Sequence, residues 1–306
     1  MRTILLFILS VPIVCFSQFT DDFTDGDFSN NPVWYGDTAK FEVNGSGQLH
    51  LNTVNADTSV LVTSNNLAEN CEWRFWVKLS FATSANNNAR VYLVSNQQNI
   101  SGSLNGYFVQ VGEANDSIAL FRQAGTSLQK IISGTVAYTN NSTNTLHIRV
   151  TRDNIGNWSM YSDPIGGNVF QLEGSGIDNT FTSSSWFGVF CKYTTSNATK
   201  FYFDDFYVGP IIVDTVPPVV TSVNMISPTQ LDVNFSEALD TTSSQNSLNY
   251  FANNSIENPL SASLDGLNGT LVHLNFSSSF IEGQNYLLAI NGVKDLNNNT
   301  MSPDSI

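Results

Sequence analysis

KFYFDDFYVG, residues 200–209, decides the fold class, because it is an aromatic-rich run that ends at a glycine followed by proline. Aromatic and β-branched residues are typical of β-strands, and a glycine–proline pair ends them. Two adjacent carboxylates, Asp204 and Asp205, lie in the middle of this predicted strand. Because alternate residues of a flat strand face opposite sides, we predict that the two carboxylates point apart, with Asp204 on the same face as Phe206.

Alternation of apolar and polar residues with a period of two recurs between residues 19 and 209. RFWVKLSF (74–81) and TLHIRVTRD (145–153) each place apolar residues on one face and polar residues on the other, as half-buried strands do. The polar faces carry these charged and aromatic side chains: Arg74, Trp76, Lys78, His147 and Arg149. KFEVNGSGQLHL (40–51) is predicted to be a hairpin in which Asn44-Gly45 supplies the positive φ. About ten or more strands of this kind predict a two-sheet sandwich rather than alternating strands and helices.

A proline-rich stretch, PIIVDTVPPVV (210–220), separates this region from a second one. Consecutive prolines favour an extended connector. We therefore predict a sandwich domain over residues 19–210, a linker over 211–218 and a smaller β-domain over 219–306. The clearest strands of the smaller domain are predicted at residues 230–235, 271–276 and 285–292.

Residues 1–18 have the parts of a secretory signal. Arg2 supplies the positive start, Ile4–Val14 is apolar, and small residues precede a predicted cleavage after Ser17. We therefore expect an exported chain that is extracellular or lies on the outer cell surface. No other stretch approaches the roughly 18 continuous apolar residues of a membrane helix, so no membrane span is expected in the mature chain.

The formal net charge is −14, and the chain has only 12 Lys and Arg residues. No basic stripe is present that would neutralise phosphates, so nucleic acid is not expected as a partner. The acidic charge is expected to keep an exported protein soluble, and strong acidity is also compatible with calcium binding.

Two cysteines, Cys71 and Cys191, remain once the signal is removed, and both lie in strand-like runs. An oxidising compartment permits a disulfide between them across the two sheets. The alternative is two buried thiols that pack as small hydrophobic side chains. The sequence does not choose between these two states.

Several segments of the first domain carry a family resemblance: DDFTDGDFSNNPVWYGD (21–37), EWRFWVKLSF (72–81), NGYFVQVGE (105–113), TRDNIGNW (151–158) and FGVFCKYTTSNATKFYFDDFYV (187–208). They resemble the concanavalin A-like, or laminin G-like, sandwich found near the N-terminus of large exported Bacteroidetes surface proteins. The resemblance implies a jelly-roll sandwich for this domain.

The second domain resembles the bacterial Ig-like domain named after the SbsA surface-layer protein, through DTVPPVVTSV (214–223), TQLDVNFSEALD (229–240), LNYF (248–251), SLDGLN (263–268) and GVKDLNNNTM (292–301). In such proteins a lamin-tail domain, further Ig-like modules and a sorting domain of type IX secretion often follow. We interpret the present chain as a fragment or a truncated reading frame of such a protein. The expected fold is all-β, a concanavalin A-like jelly-roll sandwich followed by a smaller Ig-like β-sandwich.

A catalytic site is not expected in this chain. Laminarinase-type enzymes of the concanavalin-like fold carry glutamates and an aspartate at E-x-D-x-x-E or E-x-D-x-E spacing, because acid and nucleophile must lie roughly 5–5.5 Å apart. None of the glutamates of the first domain has that spacing: Glu42, Glu69, Glu72, Glu113 and Glu173. The sequence also lacks a zinc-binding H-E-x-x-H and a nucleophile G-x-S-x-G. His50 and His147 lie on the polar sides of their strands and are predicted to be exposed.

Four aspartates are candidate ligands of a structural calcium ion: Asp21, Asp22, Asp204 and Asp205. The ends of a domain often lie close together, and calcium takes 6–8 oxygen ligands that include carboxylates and loop carbonyls. The Asp25-Gly26-Asp27 turn is a further candidate. The alternative is that Asp204 and Asp205 accept ordinary hydrogen bonds or lie at a bulge or sheet edge. Apart from such an ion, no cofactor is expected.

Five side chains are candidate ligand-binding residues: Trp76, Lys78, His147, Arg149 and Tyr161. If their strands share one sheet face, the aromatic rings are able to stack on sugar rings and the charged groups to bond hydroxyls. In the alternative interpretation Trp76 packs under a loop and Lys78 is solvated.

The residues and the two resemblances together predict a non-catalytic exported surface protein with a structural or adhesive role. The sandwich domain is a candidate carbohydrate-binding head, the Ig-like domain a spacer, and glycans or cell-surface components the expected partners. The alternative function is the accessory N-terminal part of a surface polysaccharide-degrading enzyme whose catalytic module is missing from this chain.

Overall fold

The structure, a computed structural model, describes residues 18–306. The predicted secretory signal therefore lies outside the described residues, apart from Gln18. The described chain forms two compact units, one that ends at Ile211 and one from Ile212 to Ile306. Between residues 18 and 306 no helix is both long enough and apolar enough to cross a membrane.

The first unit, called the sandwich unit below, consists of strands and two single-turn 3-10 helices at Thr38–Lys40 and Thr195–Asn197. Its strands are β1 (Phe19–Asp21), β2 (Tyr35–Gly36), β3 (Phe41–Val43), β4 (Leu49–Leu51), β5 (Asp57–Ser64), β6 (Cys71–Leu79), β7 (Asn88–Ser95), β8 (Leu104–Val111), β9 (Ile118–Gly125), β10 (Ser127–Ser133), β11 (Asn144–Arg152), β12 (Asn157–Asp163), β13 (Gln171–Ile177), β14 (Trp186–Tyr193) and β15 (Phe201–Gly209).

These strands form two antiparallel sheets. The larger sheet has eight strands in the order β13-β12-β11-β6-β15-β4-β3, with β1 also paired to β15. The smaller sheet has seven strands in the order β10-β9-β8-β7-β14-β5-β2. Strands that are distant in sequence lie side by side, such as β15 beside β6 and β14 beside β7. The strand order is that of a sandwich, so the predicted all-β class is confirmed.

The inner faces of the two sheets enclose one apolar core, as the alternation predicted. Phe75, Val77 and Leu79 of β6 are exposed by 1% or less, and the residues between them on β6 are half-buried. Ile148 and Val150 of β11 belong to the same core. Each fully buried side chain of this size contributes roughly 1.5–3 kcal/mol to stability, so the shared apolar layer holds the sheets together.

The predicted hairpin at residues 40–51 is present as β3 and β4, but the prediction for its turn is wrong. Gly47 has the positive φ, +73°, and Asn44-Gly45 does not supply it. The side-chain oxygen of Asn44 instead accepts the backbone N–H groups of Ser46 and Gln48 at 2.9 and 3.1 Å. The asparagine thus holds the turn through its side chain, and the later glycine takes the left-handed position.

The second unit, called the Ig-like unit below, has two small sheets. Its elements are β16 (Val220–Ser227), β17 (Gln230–Phe235), α1 (Thr241–Ser244), a 3-10 turn (Ser247–Asn249), β18 (Tyr250–Ala252), β19 (Ser261–Leu264), β20 (Leu271–Asn275), β21 (Leu288–Ile290) and β22 (Asp304–Ser305). One sheet has the order β16-β17-β20-β19 and the other β18-β21-β22. Val233, Tyr250 and Val272 are fully buried in a core of their own.

Arg152, at the end of β11, is a fully buried cation in the sandwich unit. Its guanidinium lies 5.1 and 4.9 Å from the ring centres of Tyr107 and Trp158. It donates hydrogen bonds to the carbonyl oxygens of Ala68 and Phe181 at 2.6 and 2.7 Å. Because these bonds join a buried guanidinium on β11 to the backbone of two loops, Arg152 ties both loops to the larger sheet.

We expect Arg152→Met to destabilise the protein by about 3 kcal/mol, because it leaves several buried carbonyl oxygens without donors. Urea unfolding followed by tryptophan fluorescence measures this loss. Lys192→Met is the control, since the half-buried Lys192 donates a hydrogen bond to the Ala85 carbonyl, and this substitution should cost less than about 1 kcal/mol. Equal stabilities of the two variants would contradict the role given to Arg152.

Candidate functional site

The candidate site forms where β15 changes its neighbours. β4 pairs with the start of β15 at Tyr202 and Phe203, and β1 pairs with its end at Phe206–Val208. Between these two pairings the register of β15 against β6 shifts, so one extra residue lies on β15 between Asp204 and Tyr207. Asp205 there has a φ of +49°. The centre of β15 is therefore a β-bulge.

The bulge overturns the prediction made for the two carboxylates. Phe203 and Phe206 are both buried in the inner core, although three residues separate them along the strand. Asp204 is half-buried and Asp205 exposed, and both lie on the outer side of the sheet. The prediction that they point apart, with Asp204 on the face of Phe206, is wrong because it assumed a flat strand, and the extra residue reverses the alternation.

An open cavity of about 400 Å³ lies beside the bulge. It is lined by Thr20, Asp21, Asp22, Asp25, Asn31, Asp205, Phe206 and Tyr207. We call it the acidic cavity. It contains three of the four aspartates predicted as metal ligands, and Asp204, the fourth, lies next to it. The pairing of β1 with β15 explains this, because it places the first and last strands of the unit side by side.

Local turns hold the carboxylates of the segment after β1. Asp21 accepts the indole N–H of Trp34 at 2.7 Å and the backbone N–H of Phe23 at 3.1 Å, one bond on each oxygen. Asp22 accepts the backbone N–H and the hydroxyl of Thr24 on a single oxygen, at 3.1 and 2.7 Å. Bonds from an aspartate to the second residue after it are typical of Asx turns, and they orient these side chains before any ligand arrives.

Burial raises the pKa of two carboxyl groups at this site. The pKa of Asp21 is raised to about 6, first by burial, although the Trp34 bond opposes the rise. The pKa of Asp204 is raised to about 7, first by burial and then by the charges of Asp205, Asp22 and Asp21. Negative charge is therefore crowded here, and no cation among residues 18–306 contributes to either pKa shift.

The carboxylates of the acidic cavity do not converge on one point. Among residues 18–306 the three-carboxylate group whose oxygens lie within 4.8 Å of one another is Asp214, Glu237 and Asp295 in the Ig-like unit. There burial and the charges of Asp214 and Asp295 raise the pKa of Glu237 to about 7. Carboxylate oxygens such as those of the acidic cavity are the ligands that a hard cation prefers. They lie too far apart, however, for three carboxylates to bind one ion directly.

The five predicted ligand-binding side chains lie on the outer face of the larger sheet, on neighbouring strands. His147 is opposite Trp76, Thr145 is opposite Lys78, and Arg149 is opposite Tyr161. Most of them already contact partners of their own. The Arg149 guanidinium lies 5.2 Å from the ring centre of Tyr161 and donates to Glu72 at 3.0 Å. The Lys78 ammonium lies 5.3 Å from the ring of Tyr202.

A loop after β12 packs on this outer face. The backbone at Gly166 lies so close to Trp76 that an added Cβ would be 2.5 Å from the indole nitrogen. Nδ1 of His147 donates a hydrogen bond to the carbonyl oxygen of Gly167 at 2.9 Å, and His147 is only 6% exposed. The prediction that His147 is exposed is wrong, because tertiary packing of the loop covers a side chain on the polar face of its strand. Burial lowers the pKa of His147.

The prediction that His50 is exposed is wrong, because only 13% of its side chain is accessible. It stacks on Tyr202 with ring centres 4.5 Å apart and rings nearly parallel. Its two nitrogens lie 3.0 Å from a carboxylate oxygen of Glu42 and 2.9 Å from the carbonyl oxygen of Thr199. These contacts give His50 a structural role between β4 and the turn before β15.

Cys71 and Cys191 are free thiols, and both are fully buried in the core between the sheets. Of the two states left open by the sequence, the structure contains the buried thiols and not the disulfide. Burial raises the pKa of Cys71 to about 12 and that of Cys191 far above its usual value. Both therefore pack as small hydrophobic side chains.

Sequence reasoning missed four residues of the acidic cavity: Thr20, Asn31, Phe206 and Tyr207. Tyr207 also bonds the Pro210 carbonyl at 2.7 Å. Only the pairing of β1 with β15 brings them together, and no residue spacing signals that pairing.

We expect Asp204→Asn to stabilise the protein at pH 8 and to have little effect at pH 4. The folded pKa of about 7 lies above the unfolded value of 3.8, so the stability linked to this carboxyl is present below pH 4 and is lost as the pH rises through 7. Asparagine removes the charge and keeps the oxygen that accepts the Asp205 N–H. The gain at pH 8 should be on the order of 1 kcal/mol after discounting for solvent screening.

Urea unfolding at several pH values measures this gain. Asp153→Asn is the control of opposite sign, because backbone N–H groups bonded to Asp153 lower its pKa, so its substitution should destabilise above pH 4. A gain for Asp204→Asn that does not change with pH would refute the assignment.

The Ig-like unit matches a known family in sequence. Residues 208–305 match the family described as "Bacterial Ig-like domain". No curated protein matches the sequence.

Three solved structures illustrate the structural similarity of the chain. The VIP36 exoplasmic/lumenal domain in its Ca²⁺/Man3GlcNAc-bound form is 8% identical, with a TM-score of 0.47 over 65% of this chain and 91% of that chain. Carbohydrate-binding module CBM66 from Bacillus subtilis is 12% identical, with a TM-score of 0.40 over 56% and 92%. An engineered GH43 glycoside hydrolase is 17% identical, with a TM-score of 0.44 over 66% and 42%.

The predicted fold class, a concanavalin A-like jelly-roll sandwich followed by a smaller Ig-like sandwich, is confirmed. It rests on the strand order and register described above together with the match of residues 208–305 to the bacterial Ig-like domain family.

Proposed function

We propose that the sandwich unit is a non-catalytic carbohydrate-binding module and that the Ig-like unit is a spacer. The chain would serve a structural or adhesive role outside the cell, with glycans or cell-surface components as partners. The observation that carries this proposal is the acidic cavity, a preformed opening of about 400 Å³, which is within the usual size of a small-ligand site.

The lining of the acidic cavity suits a ligand rich in hydroxyl groups. Carboxylates accept hydrogen bonds on two oxygens each, and an amide both donates and accepts. Asp22, Asp25 and Asp205 are exposed and face the cavity, beside the amide of Asn31 and the ring of Tyr207. Bonds between hydroxyl donors and charged acceptors are worth about 1.5–3 kcal/mol, so a few of them are enough for measurable affinity.

The arrangement of carboxylates supports binding rather than catalysis. Both oxygens of Asp21, the most buried carboxylate of the cavity, hold structural bonds to Trp34 and Phe23. Four glutamates of the sandwich unit have partners elsewhere: Glu42 with His50, Glu72 with Arg74 and Arg149, Glu113 with Lys130, and Glu173 with Ser162 and Thr135. The accessory part of a polysaccharide-degrading enzyme remains the alternative function, and the same cavity would then bind the enzyme's substrate.

The proposal also includes how the chain is exported and which proteins it is related to. A secretory signal is inferred from the residues at positions 1–18, whereas relation to Bacteroidetes lamin-tail proteins and export by type IX secretion are what the two family resemblances imply. The domain limits 19–210, 211–218 and 219–306 are proposed from the change of composition at the proline-rich stretch. The most direct support is the proline-rich stretch between the two units and the family match from residue 208.

We expect Asp205→Asn to weaken binding of neutral glycans at least about tenfold, equivalent to about 1.4 kcal/mol. The substitution keeps the shape of the side chain and removes its charge. A glycan array with residues 18–211 and with the full chain selects the ligand, and isothermal titration measures the affinity.

Glu69→Gln is the matched control for this binding experiment, because it makes the same change of charge on the sandwich unit outside the acidic cavity. Its affinity should equal that of the wild type. Failure of the wild-type chain to bind any neutral glycan at millimolar concentration, or undiminished binding by Asp205→Asn, would contradict the proposed site.

We also propose that the acidic cavity takes up calcium. Oxygen atoms line it, and a cation would offset the crowded negative charge. Because three carboxylates do not converge within 4.8 Å there, the ion would bind at most two of them directly and take water as its other ligands.

Calcium is therefore expected to raise the melting temperature of the protein by linkage. The rise should be roughly 5–10 °C when free calcium exceeds its dissociation constant about 100-fold. Asp205→Asn should reduce this rise, and Glu237→Gln, which changes the group in the Ig-like unit, should not. Equal melting temperatures in calcium and chelator, or a rise that only Glu237→Gln abolishes, would remove calcium from the cavity.

A further inference from the structure

The outer face of the smaller sheet carries a second group of buried aromatic and aliphatic side chains, separate from the core between the sheets. Along β8, Tyr107 and Val109 belong to the inner core and Phe108 to the outer group. Along β9, Leu120 is inner and Phe121 outer. The outer group consists of Val62, Tyr92, Ile100, Leu104, Phe108, Ala119, Phe121 and Phe190. The outer face of an antiparallel sheet is usually polar. Here its apolar side chains are at most 8% exposed because the chain itself covers them, so the half-buried polar side chains among them are what the face offers to a ligand.

Arg90 lies in the middle of this outer face. On the neighbouring strands it is opposite Phe190 of β14 and Gln110 of β8. Its guanidinium carbon lies 4.8 Å from the ring centre of Phe108 and 5.3 Å from that of Phe190. Its Nε donates to the side-chain oxygen of Gln110 at 3.1 Å. Two rings and one amide therefore hold the guanidinium in place.

Arg90 has no acidic partner among residues 18–306, which distinguishes it from other cations of the sandwich unit. Five of those cations form ion pairs with a carboxylate: Lys40 with Asp57, Arg74 and Arg149 with Glu72, Arg122 with Asp178, and Lys130 with Glu113. Arg90 forms only the bond to Gln110 and contacts with Phe108, Phe190 and the Tyr92 hydroxyl. Nε bonds Gln110 and the guanidinium also bonds the Tyr92 hydroxyl, so the remaining N–H groups of the terminal nitrogens are the donors left for a ligand.

Other features of the face complement a sugar chain with an acidic group. Lys192 lies on the same face of β14 as Phe190, two residues along the strand, and adds a second positive charge. Trp186 lies four residues from Phe190, about 13 Å at roughly 3.3 Å per residue. It is half-buried and makes an edge contact with the exposed ring of Tyr35, with centroids 6.0 Å apart. The face thus offers two cations near Phe190 and two aromatic rings about 13 Å from it.

We propose that this outer face of the smaller sheet is a second binding site, which recognises a saccharide that carries carboxylate groups and binds one carboxylate through Arg90. That the ligand is a saccharide rests on the proposed function, whereas the recognition of a carboxylate rests on Arg90 alone. A planar carboxylate matches the fork of two terminal guanidinium nitrogens. Aromatic stacking also holds the guanidinium ready for the ligand at little cost in side-chain entropy.

The charge of the whole chain makes such a site specific. With a net charge of −14, the protein repels anions in general, so an anionic chain binds only where cations lie without counter-ions. The acidic cavity lies on the larger sheet and repels the same ligand, and the two sites therefore prefer different sugars.

The test compares oligogalacturonate with its methyl ester, which keeps the sugar rings and removes the charge. Isothermal titration with the full chain should show at least tenfold tighter binding of the acid than of the ester, and the difference should shrink in 1 M salt. Oligomers of glucuronate and mannuronate extend the panel, and a sulfated neutral oligosaccharide tests whether a tetrahedral anion substitutes for the carboxylate.

Variants assign the site. Arg90→Gln should lose at least tenfold in affinity for the acid and little for the ester. Arg90→Lys should retain part of the affinity, because the charge remains without the fork. Lys200→Gln, just before β15 of the larger sheet, is the control with the same change of charge and should bind as the wild type, since Lys200 donates to the side chain of Asn197 and lies outside both proposed sites. Circular dichroism and melting curves show whether each variant is folded. If Arg90→Gln does not fold, Arg90→Lys still tests the site.

Equal binding of acid and ester, undiminished binding by both Arg90 variants, or no binding of any uronate in the panel would overturn the second site. Preference for the sulfated oligosaccharide over all uronates would overturn the assignment to carboxylates. Neutral-glycan binding that depends on Asp205 without any uronate binding would leave the proposed function standing and remove only this inference. Uronate binding that depends on Arg90 without neutral-glycan binding would instead remove the acidic cavity as the sugar site.

Discussion

The β-bulge at Asp205 is the constraint on which the functional surface of the sandwich unit depends. Phe203 and Phe206 both have to reach the inner core, and a flat strand cannot place residues three apart on one face. The extra residue at the bulge solves this conflict and turns both neighbouring carboxylates outward. It also lies where β4 stops and β1 begins to pair with β15, which leaves room for the acidic cavity. One local irregularity thus connects core packing with the charge and shape of the outer surface.

The two outer faces of the sandwich have opposite chemical character. On the larger sheet, uncompensated carboxylates crowd one end, and burial raises the pKa of Asp21 and Asp204 to about 6 and 7. On the smaller sheet, aromatic rings hold the cation of Arg90 without a carboxylate. Because buried charge without a partner is costly, a ligand that neutralises the charge would lower the free energy of either arrangement. A neutral polyhydroxyl ligand or a cation suits the first face and an anionic ligand the second.

Several predictions from residue pattern alone hold in the structure, and the exceptions share a cause. The alternation in β6 and β11 assigned the inner core correctly, because sheet faces follow directly from a period of two. The alternation failed at β15, where a bulge interrupts the period, and at His147, where the loop of residues 163–170 covers the polar face. The prediction for the turn at residues 44–47 is also wrong, because two residues suit this turn. Asn44 holds it through its side chain, and Gly47 takes the positive φ.

The sequence by itself determined the all-β class, the inward faces of the regular strands, the division near the proline-rich stretch, and the acidic residues that belong to the candidate site. These follow from local properties: side-chain periodicity, turn residues and charge. Only the tertiary structure decided that β1 lies against β15, that Asp204 and Asp205 share the outer side, and that Arg90 lies between rings from two other strands. Those arrangements depend on pairing between strands far apart in the chain, and the side chains that meet there carry no shared local pattern that would reveal the pairing.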